Sequence, residues 1–146
     1  MSKICAIADL GTNTFQLLIS PLAAFLVEEH LQRPVGLGMG AMEEVTLQAD
    51  AMDRAIACLA EFKQVFLTKG GDLRDFYAIG TSILRRASNA SAFLDRVFNE
   101  LGIQIRIIDG IQEAEYIYAG IRNSLPERWE KTSLVMDIGG GSVEFI

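Results

Sequence analysis

The chain has 146 residues, is half hydrophobic and carries a formal net charge of −6. This length supports one substantial core and is short for two ordinary domains. The acidic balance argues against general nucleic-acid binding, which depends on a positive field. The apolar runs are much shorter than the roughly 20 residues that span a bilayer. We therefore expect a protein without nucleic-acid or membrane partners.

The cysteines and the histidine argue against several kinds of site. Cys5 lies in an apolar segment with strand character, and Cys58 lies far from it on an apolar helix face. Two unclustered thiols indicate neither a disulfide nor a metal site, and they favour a reducing compartment, the cytoplasm. The lone histidine, His30, is expected on the surface, where no Ser/His/Asp set can be built around it.

A short motif near the start of the chain returns near its end. Residues 9–14 read Asp-Leu-Gly-Thr-Asn-Thr, and residues 137–142 read Asp-Ile-Gly-Gly-Gly-Ser, each after an apolar run. Each pattern predicts a tight turn between two strands with a carboxylate at its mouth. Amides in such a turn form an anion site, the hydroxyl adds a donor, and the aspartate can hold a hydrated cation. Two such turns indicate a clamp for phosphate and metal.

The predicted elements begin with an antiparallel meander. Residues 4–9 and 15–19 form a hairpin around the first motif, and residues 25–27 begin a third strand. The glycine-rich stretch at residues 32–46 is interpreted as an irregular connection, because no strand of a dinucleotide-binding βαβ unit precedes it.

Helices alternate with strands after the meander. The first helix buries Met52, Ile56, Leu59, Phe62 and Phe66, and it is followed by a strand at 75–80 and by a short turn or helix with Arg85 and Arg86. The next helix is capped by Asn89, ends at Gly102 and buries Phe93, Leu94, Val97, Phe98 and Leu101. A strand at 103–108, a helix at 111–123, a loop at Pro126 with Trp129 as an apolar anchor and a buried strand at 133–137 complete the series. The order predicts an α/β fold with a mixed five-stranded sheet and helices on both faces.

The last residues bear on domain organisation. The sequence stops at Ile146, two or three residues into the strand that would complete the second hairpin. We therefore expect residues 1–146 to be the N-terminal portion of a two-domain protein whose second domain lies outside them. Because half of the clamp would be absent, we expect the isolated 146 residues to be inactive.

One glutamate is placed for acid–base chemistry. Glu113 lies in the first turn of the helix that follows the strand at 103–108, and ligands of open α/β sheets bind at such carboxyl ends of strands. A carboxylate there can accept a proton from a water held against a phosphoryl group. The alternative is structural, since the helix dipole alone favours glutamate in a first turn.

Other candidates for this crevice are cationic or metal-binding. Arg85 or Arg86 can bind phosphate oxygens through the planar guanidinium, or can be solvated surface charges. Asp9 and Asp137 can hold Mg²⁺ directly or through water, or can stabilise their own turns through hydrogen bonds. Glu144 points to the same strand face as the last hydroxyl of the second motif and can complete a metal shell.

Four segments together resemble the exopolyphosphatase and guanosine pentaphosphate phosphatase family. Residues 8–15 and 135–145 are similar to its two phosphate motifs, and residues 78–90 and 108–120 are similar to its Thr-Ser-x-x-Arg and Gly-x-Glu-Glu-Ala segments. The phosphate motifs alone indicate only the RNase H-like, actin-like ATPase fold class. The two middle segments select the family.

The resemblance implies a Mg²⁺-dependent hydrolase that removes terminal phosphate from polyphosphate or guanosine pentaphosphate, and we expect a homodimer at full length. By position, it implies that Glu113 is the general base and that Arg85 binds phosphate. Together with the motif argument, the expected phosphate-binding residues are Gly11, Thr12, Asn13, Thr14, Arg85, Gly139, Gly140, Gly141 and Ser142, and the expected metal ligands are Asp9, Asp137 and Glu144.

Three positions depart from the family pattern. Gln112 replaces an acidic residue that often precedes the base, and Glu115 and Gln16 stand where basic residues are frequent. Each change makes the site less positive, so we expect a different substrate affinity or chain-length preference.

Two other functions stay open on the sequence alone. A sugar kinase or chaperone-type ATPase of the same fold would use ATP and would need an adenosine pocket. A non-catalytic sensor would bind phosphate ligands without turnover, and the three departures give this alternative its weight.

Overall fold

The computed structural model describes residues 3–23, 26–40, 45–125 and 133–146. Its elements are β1 (Ile4–Leu10), β2 (Thr14–Pro21), β3 (Glu29–Pro34), α1 (Ala49–Thr68), a 3-10 turn (Leu73–Asp75), β4 (Phe76–Gly80), α2 (Ser82–Arg86), α3 (Ala90–Leu101), β5 (Ile105–Ile107), α4 (Gly110–Ser124), β6 (Met136–Ile138) and β7 (Val143–Phe145).

The first five strands form one mixed sheet in the order β3-β2-β1-β4-β5. The meander β1-β2-β3 is antiparallel, whereas β4 and β5 continue parallel to β1. β6 and β7 form a separate antiparallel hairpin. The predicted five-stranded sheet, with a hairpin start followed by βα units, is thus confirmed.

One face of the sheet carries the core. The side chains of Ala6, Ala8 and Leu10 alternate inward along β1 and are fully buried. They belong to one cluster with the apolar stripe of α1 and with Phe93 of α3. All five apolar residues predicted to form the buried face of α1 are buried, so the 3.6-residue spacing of these residues located that face correctly.

The opposite face of the sheet is accessible. Ile7, Leu18 and Tyr77 are 41%, 37% and 51% exposed there. Helices were expected on both faces, but within the described ranges no helical layer buries these three positions. Phe98 of α3 is also exposed at 57%, contrary to expectation. Phe98 lies about 100° around the helix axis from the buried Val97, and this rotation points its side chain away from the buried face of α3.

The third strand begins later than predicted. Leu26 and Val27 lie in a connection and are exposed, and residue 25 is outside the described part of the chain. The Glu28 amide donates to Ile19 O (2.9 Å), which closes the β2–β3 connection, and strand pairing starts at Glu29. Apolar character alone therefore misplaced this boundary. The fifth strand, at Ile105–Ile107, is likewise shorter than predicted.

Asn89 does not cap α3 through its side chain. Its Oδ1 accepts from the Leu47 amide (2.9 Å), and its Nδ2 donates to Leu47 O (3.0 Å). The side chain thus satisfies the backbone of a nearly buried loop residue, which outweighs a solvent-exposed cap. The predicted end of α3 at Gly102 is confirmed, with this glycine in the left-handed region at φ 68°.

The predicted burial of the last strand is wrong. β6 covers Met136–Ile138, and its apolar residues are exposed together with Val143 and Phe145 of β7. These side chains alternate onto one face of the hairpin, and no described element covers that face. The expected loop at Pro126 and the anchor Trp129 lie outside the described residues.

Membrane insertion was not expected. In the ranges that the structure describes, no helix has both the length and the apolar character needed to cross a bilayer.

Both cysteines are free thiols, and we expect Cys58 to be nearly inert in the native protein. Burial, and secondarily the charge of Glu61, raises the pKa of Cys58 to about 12 from an ordinary 9.0. At about pH 8 this leaves about a thousandfold less thiolate. Ellman's reagent should therefore modify Cys58 quickly only after denaturation. The Cys58→Ala variant isolates the signal of Cys5, and two equally fast native thiols would contradict the expectation.

Candidate functional site

The first glycine turn joins β1 to β2. The Gly11 amide donates to Thr14 O at 3.2 Å and closes the turn. A Cβ at position 11 would lie 2.9 Å from that same backbone oxygen, so the turn requires glycine. The amides of Thr12, Asn13 and Thr14 and the hydroxyls of the two threonines thereby lie at the end of the hairpin, as the motif predicted.

The glycine-rich connection supports this turn. The amides of Val35 and Gly36 both donate to Asn13 O (2.9 and 2.8 Å), and the Gly38 amide donates to Thr12 O (2.9 Å). A Cβ on Gly38 would overlap Thr12 Cγ2. The pattern of this stretch predicted an irregular connection and did not predict its supporting role. The spacing of its glycines was the available signal, since a backbone packed against another backbone leaves no room for side chains.

The second glycine turn repeats the geometry of the first. It joins β6 to β7, and the Gly139 amide donates to Ser142 O at 2.9 Å, as the Gly11 amide does to Thr14 O. Ile138 and Val143 pair directly on either side of the turn. The repeated motif therefore predicted a repeated structure.

The two turns meet. A Cβ on Gly140 would lie 2.5 Å from Asn13 Nδ2, and one on Gly141 would lie 2.6 Å from Thr12 Oγ1. Ser82 at the start of α2 donates from Oγ to Gly141 O (3.1 Å). Turns from the two ends of the chain and the start of α2 thus converge on one place.

Glu113 and Arg85 lie together beside this convergence. Arg85 Nη1 donates to Glu113 Oε2 at 2.6 Å and to Ile108 O at 3.0 Å. The two side chains are 14% and 22% exposed, so neither is sealed in the core. The expectation that this carboxylate and this guanidinium meet is confirmed, and their chemical roles stay predictions.

Local sequence explains why Glu113 is held in place. Asp109 is the N-cap of α4, and its Oδ1 accepts from the Gln112 amide at 2.8 Å. The Glu113 amide donates to Asp109 O (3.0 Å) and begins the helical hydrogen bonding. An open depression beside this pair is lined by Leu84, Arg85, Ile107, Ile108, Asp109 and Gln112.

Acidic side chains surround the meeting point of the turns. Asp9 is exposed as a residue, yet neighbouring protein atoms surround much of its carboxylate. Loss of hydration, followed by the charges of Glu113 and Asp137, raises the pKa of Asp9 to about 6. Because charge repulsion at this strength needs proximity, the three acids share one region.

The hairpin contributes a second acidic pair. Asp137 and Glu144 are cross-strand partners, so their side chains lie on one face, and Glu144 Oε2 is buried without a hydrogen-bond partner among the described residues. The described ranges contain no group of three acidic, histidine or cysteine side chains close enough to enclose a metal ion. Asp137 thus lies near Asp9 and opposite Glu144, and these described residues do not form a closed cage.

The three departures from the family pattern take different positions. Gln16 is the cross-strand partner of Asp9, and its Oε1 bonds His30 Nε2 at 3.0 Å. His30 is exposed, as predicted. Gln112 lines the depression beside Arg85, whereas Glu115 points to solvent.

The fold and the paired turns define a class of protein. A mixed five-stranded sheet with one glycine turn, met by the glycine turn of a separate hairpin, is found here in the actin-like ATPase fold. Residues 25–146 match the Ppx/GppA phosphatase family, and the chain therefore belongs to that family.

Relatives and a solved structure agree with this assignment. The chain is 37% identical over 146 residues to a Haemophilus influenzae protein named as a candidate exopolyphosphatase, covering 99% of the chain and 44% of that relative. It is 34% identical over 148 residues to the guanosine-5'-triphosphate,3'-diphosphate pyrophosphatase of Aliivibrio fischeri, covering 100% and 29%. The crystal structure of an exopolyphosphatase from Cytophaga hutchinsonii superposes with a TM-score of 0.91 at 37% identity, covering 99% and 46%. The chain thus spans less than half the length of these proteins.

The N-cap of α4, the helix that carries Glu113, can be tested through its contribution to the free energy of unfolding. We expect Asp109→Ala to lower the free energy of unfolding of the intact protein by about 1 kcal/mol, because the Gln112 amide loses its acceptor. Asp109→Asn keeps a capping oxygen and should lose much less. Urea unfolding of the three proteins measures both effects, and equal losses for the two variants would show that charge, not capping, matters.

Proposed function

We propose that the protein carrying this chain hydrolyses the terminal phosphoanhydride bond of polyphosphate or guanosine pentaphosphate. The observation that carries the proposal is the Glu113 carboxylate, held 2.6 Å from Arg85 Nη1 beside two touching glycine turns. The names of the relatives, an exopolyphosphatase and a guanosine-5'-triphosphate,3'-diphosphate pyrophosphatase, support this substrate class.

The turns would bind the phosphate. Phosphoryl transfer needs little covalent help from the protein and depends on alignment and on neutralising negative charge. Because the amides of Gly11 and Gly139 close the turns, the donors to phosphate oxygens would be the amides of residues 12–14 and 140–142 and the hydroxyls of Thr12, Thr14 and Ser142. Arg85 Nη1 already donates to Glu113 Oε2 and Ile108 O, so Arg85 would bind phosphate through its remaining guanidinium nitrogens.

Glu113 would act as the general base. Its Oε2 is fixed by Arg85, which leaves Oε1 to accept a proton from the attacking water. Its limited exposure would keep bulk water from competing for the carboxylate, while an opening to solvent admits the reacting water. The Asp109 cap and the Arg85 contact together orient the carboxylate.

The acidic residues fit Mg²⁺. Carboxylate oxygens are its preferred protein ligands, and Mg²⁺ keeps several waters while binding one or two carboxylates and substrate phosphates. Asp137 and Glu144 on one hairpin face, with the unpartnered Glu144 Oε2, match such an open site, and Asp9 would act through water. When bound, the ion would neutralise charge on the phosphate oxygens.

Three features of the whole protein belong to the same proposal. The coverage of the relatives supports residues 1–146 as the N-terminal half of a two-domain enzyme. Two free, separated thiols support the cytoplasm. A homodimer rests on the family resemblance alone.

Two glutamates on α4 allow a matched test of the base. In the intact protein, we expect Glu113→Gln to lower kcat for phosphate release from polyphosphate and from guanosine pentaphosphate by about 10²- to 10⁴-fold, since an amide cannot take the proton. Glu115→Gln removes the same charge from an exposed position on the same helix and should change the rate about twofold or less.

The opposite results have defined meanings. Equal rates for Glu113→Gln and the unaltered protein would remove Glu113 from the mechanism. Tight binding of guanosine pentaphosphate without any phosphate release in Mg²⁺ would favour the sensor alternative.

A metal titration tests the acidic pair. Chelation by EDTA should abolish phosphate release, and added Mg²⁺ should restore it. We expect Glu144→Gln to raise the Mg²⁺ concentration for half-maximal rate by about 10-fold or more, because a ligand oxygen is lost. Glu115→Gln again serves as the control. An unchanged Mg²⁺ requirement in Glu144→Gln would exclude Glu144 as a ligand.

A further inference from the structure

Two consecutive arginines on α2 point in different directions. Successive residues of a helix are about 100° apart, and Arg85 turns towards Glu113 and Ile108 O. Arg86 turns towards the second glycine turn, where its Nη2 lies 2.9 Å from the position that a Cβ on Gly141 would take. The two cations therefore serve different parts of the site.

The place beside Gly141 is surrounded by hydrogen-bond donors. The same Cβ position lies 2.6 Å from Thr12 Oγ1 and 3.3 Å from Ser82 Oγ. The Thr12 hydroxyl and the Arg86 guanidinium thus lie side by side against the backbone of Gly141, whereas the Ser82 hydroxyl already donates its hydrogen to Gly141 O. A hydroxyl and a guanidinium together at the edge of a glycine turn are donors that a phosphate group can use.

Arg86 is not paired with an acid in the part of the chain that the structure describes. Its side chain is exposed. Its Nε makes one long contact, 3.4 Å, to Ser82 O. Arg85, in contrast, is engaged by Glu113 at 2.6 Å. Arg86 is therefore the cation on α2 whose charge is available to a ligand.

We propose that Arg86, with Thr12, binds the phosphate next to the one attacked at Glu113. The inference rests on the proposed function, because it assigns the second subsite of the same cleft. A single phosphoryl group beside Glu113 would not need a cation that turns away to Gly141, whereas a linear phosphate chain would meet both. Arg86 thereby selects ligands with two or more linked phosphates over orthophosphate.

The test compares two ligands by calorimetry. Binding of tripolyphosphate and of orthophosphate is measured in Mg²⁺ with the intact protein, in a Glu113→Gln background that prevents turnover. Arg86→Ala should weaken tripolyphosphate binding roughly 10- to 100-fold, the usual effect of losing a charged hydrogen bond, and should change orthophosphate binding about twofold or less. Without the background substitution, KM should rise while kcat stays within about twofold.

Matched variants separate recognition from folding. Arg74→Ala removes the same charge from an exposed side chain before β4, at the opposite end of the sheet from the turns, and should leave both affinities unchanged. Arg86→Lys keeps the positive charge but not the planar guanidinium, so its affinity for tripolyphosphate should be intermediate. Thermal unfolding confirms that each variant is folded.

The results distinguish this inference from the hydrolase itself. If Arg86→Ala matches Arg74→Ala, or weakens both ligands equally, the subsite is overturned even when the enzyme is active. If Arg86→Ala selectively loses tripolyphosphate while the unaltered protein releases no phosphate, the subsite stands and the hydrolytic proposal fails. An unaltered protein that binds neither ligand overturns both.

Discussion

The close approach of the two glycine turns is the constraint on which the site depends. Positions 140 and 141 lie so near Asn13 and Thr12 that added side-chain atoms would have to displace them. The first turn itself requires glycine at position 11, and its backbone accepts hydrogen bonds from a second glycine-rich stretch behind it. The glycine backbone of the second turn therefore packs against the side chains of the first, and the backbone of the first turn is hydrogen-bonded to the stretch behind it, so glycine permits both close approaches.

Electrostatics explains why this cleft needs a ligand of a particular kind. Asp9, Glu113 and Asp137 lie in one region, where loss of hydration and then the charges of the other two acids raise the pKa of Asp9, and Glu144 lies opposite Asp137 on the hairpin. Arg85 offsets one of these charges through its contact with Glu113. A divalent cation would offset more, and only then would a polyanion be tolerated beside the acids. Metal and phosphate are therefore expected to bind with positive coupling.

The sequence predicted local features well and tertiary ones unevenly. The turns, the buried stripe of α1 and the end of α3 follow from periodicity and glycine placement. The wrong predictions concern Phe98, the first residues before β3 and the last hairpin, where apolar composition was taken for burial. Burial depends on what packs against a side chain, and one sequence does not contain that information. The predictions for the Asn89 side chain and for the loop behind the first turn were wrong for the same reason, because both depend on tertiary contacts.

The accessible face of the sheet has a consequence for how the cleft is reached. Asp9 shares its face of β1 with Ile7, because side chains two apart on a strand project to the same side. The other side is filled by α1 and α3. In the described residues, the cleft around Asp9 therefore lies on the side of the sheet away from α1 and α3, with Glu113 of α4 beside it, and the phosphate chain of the proposed function would enter from that side.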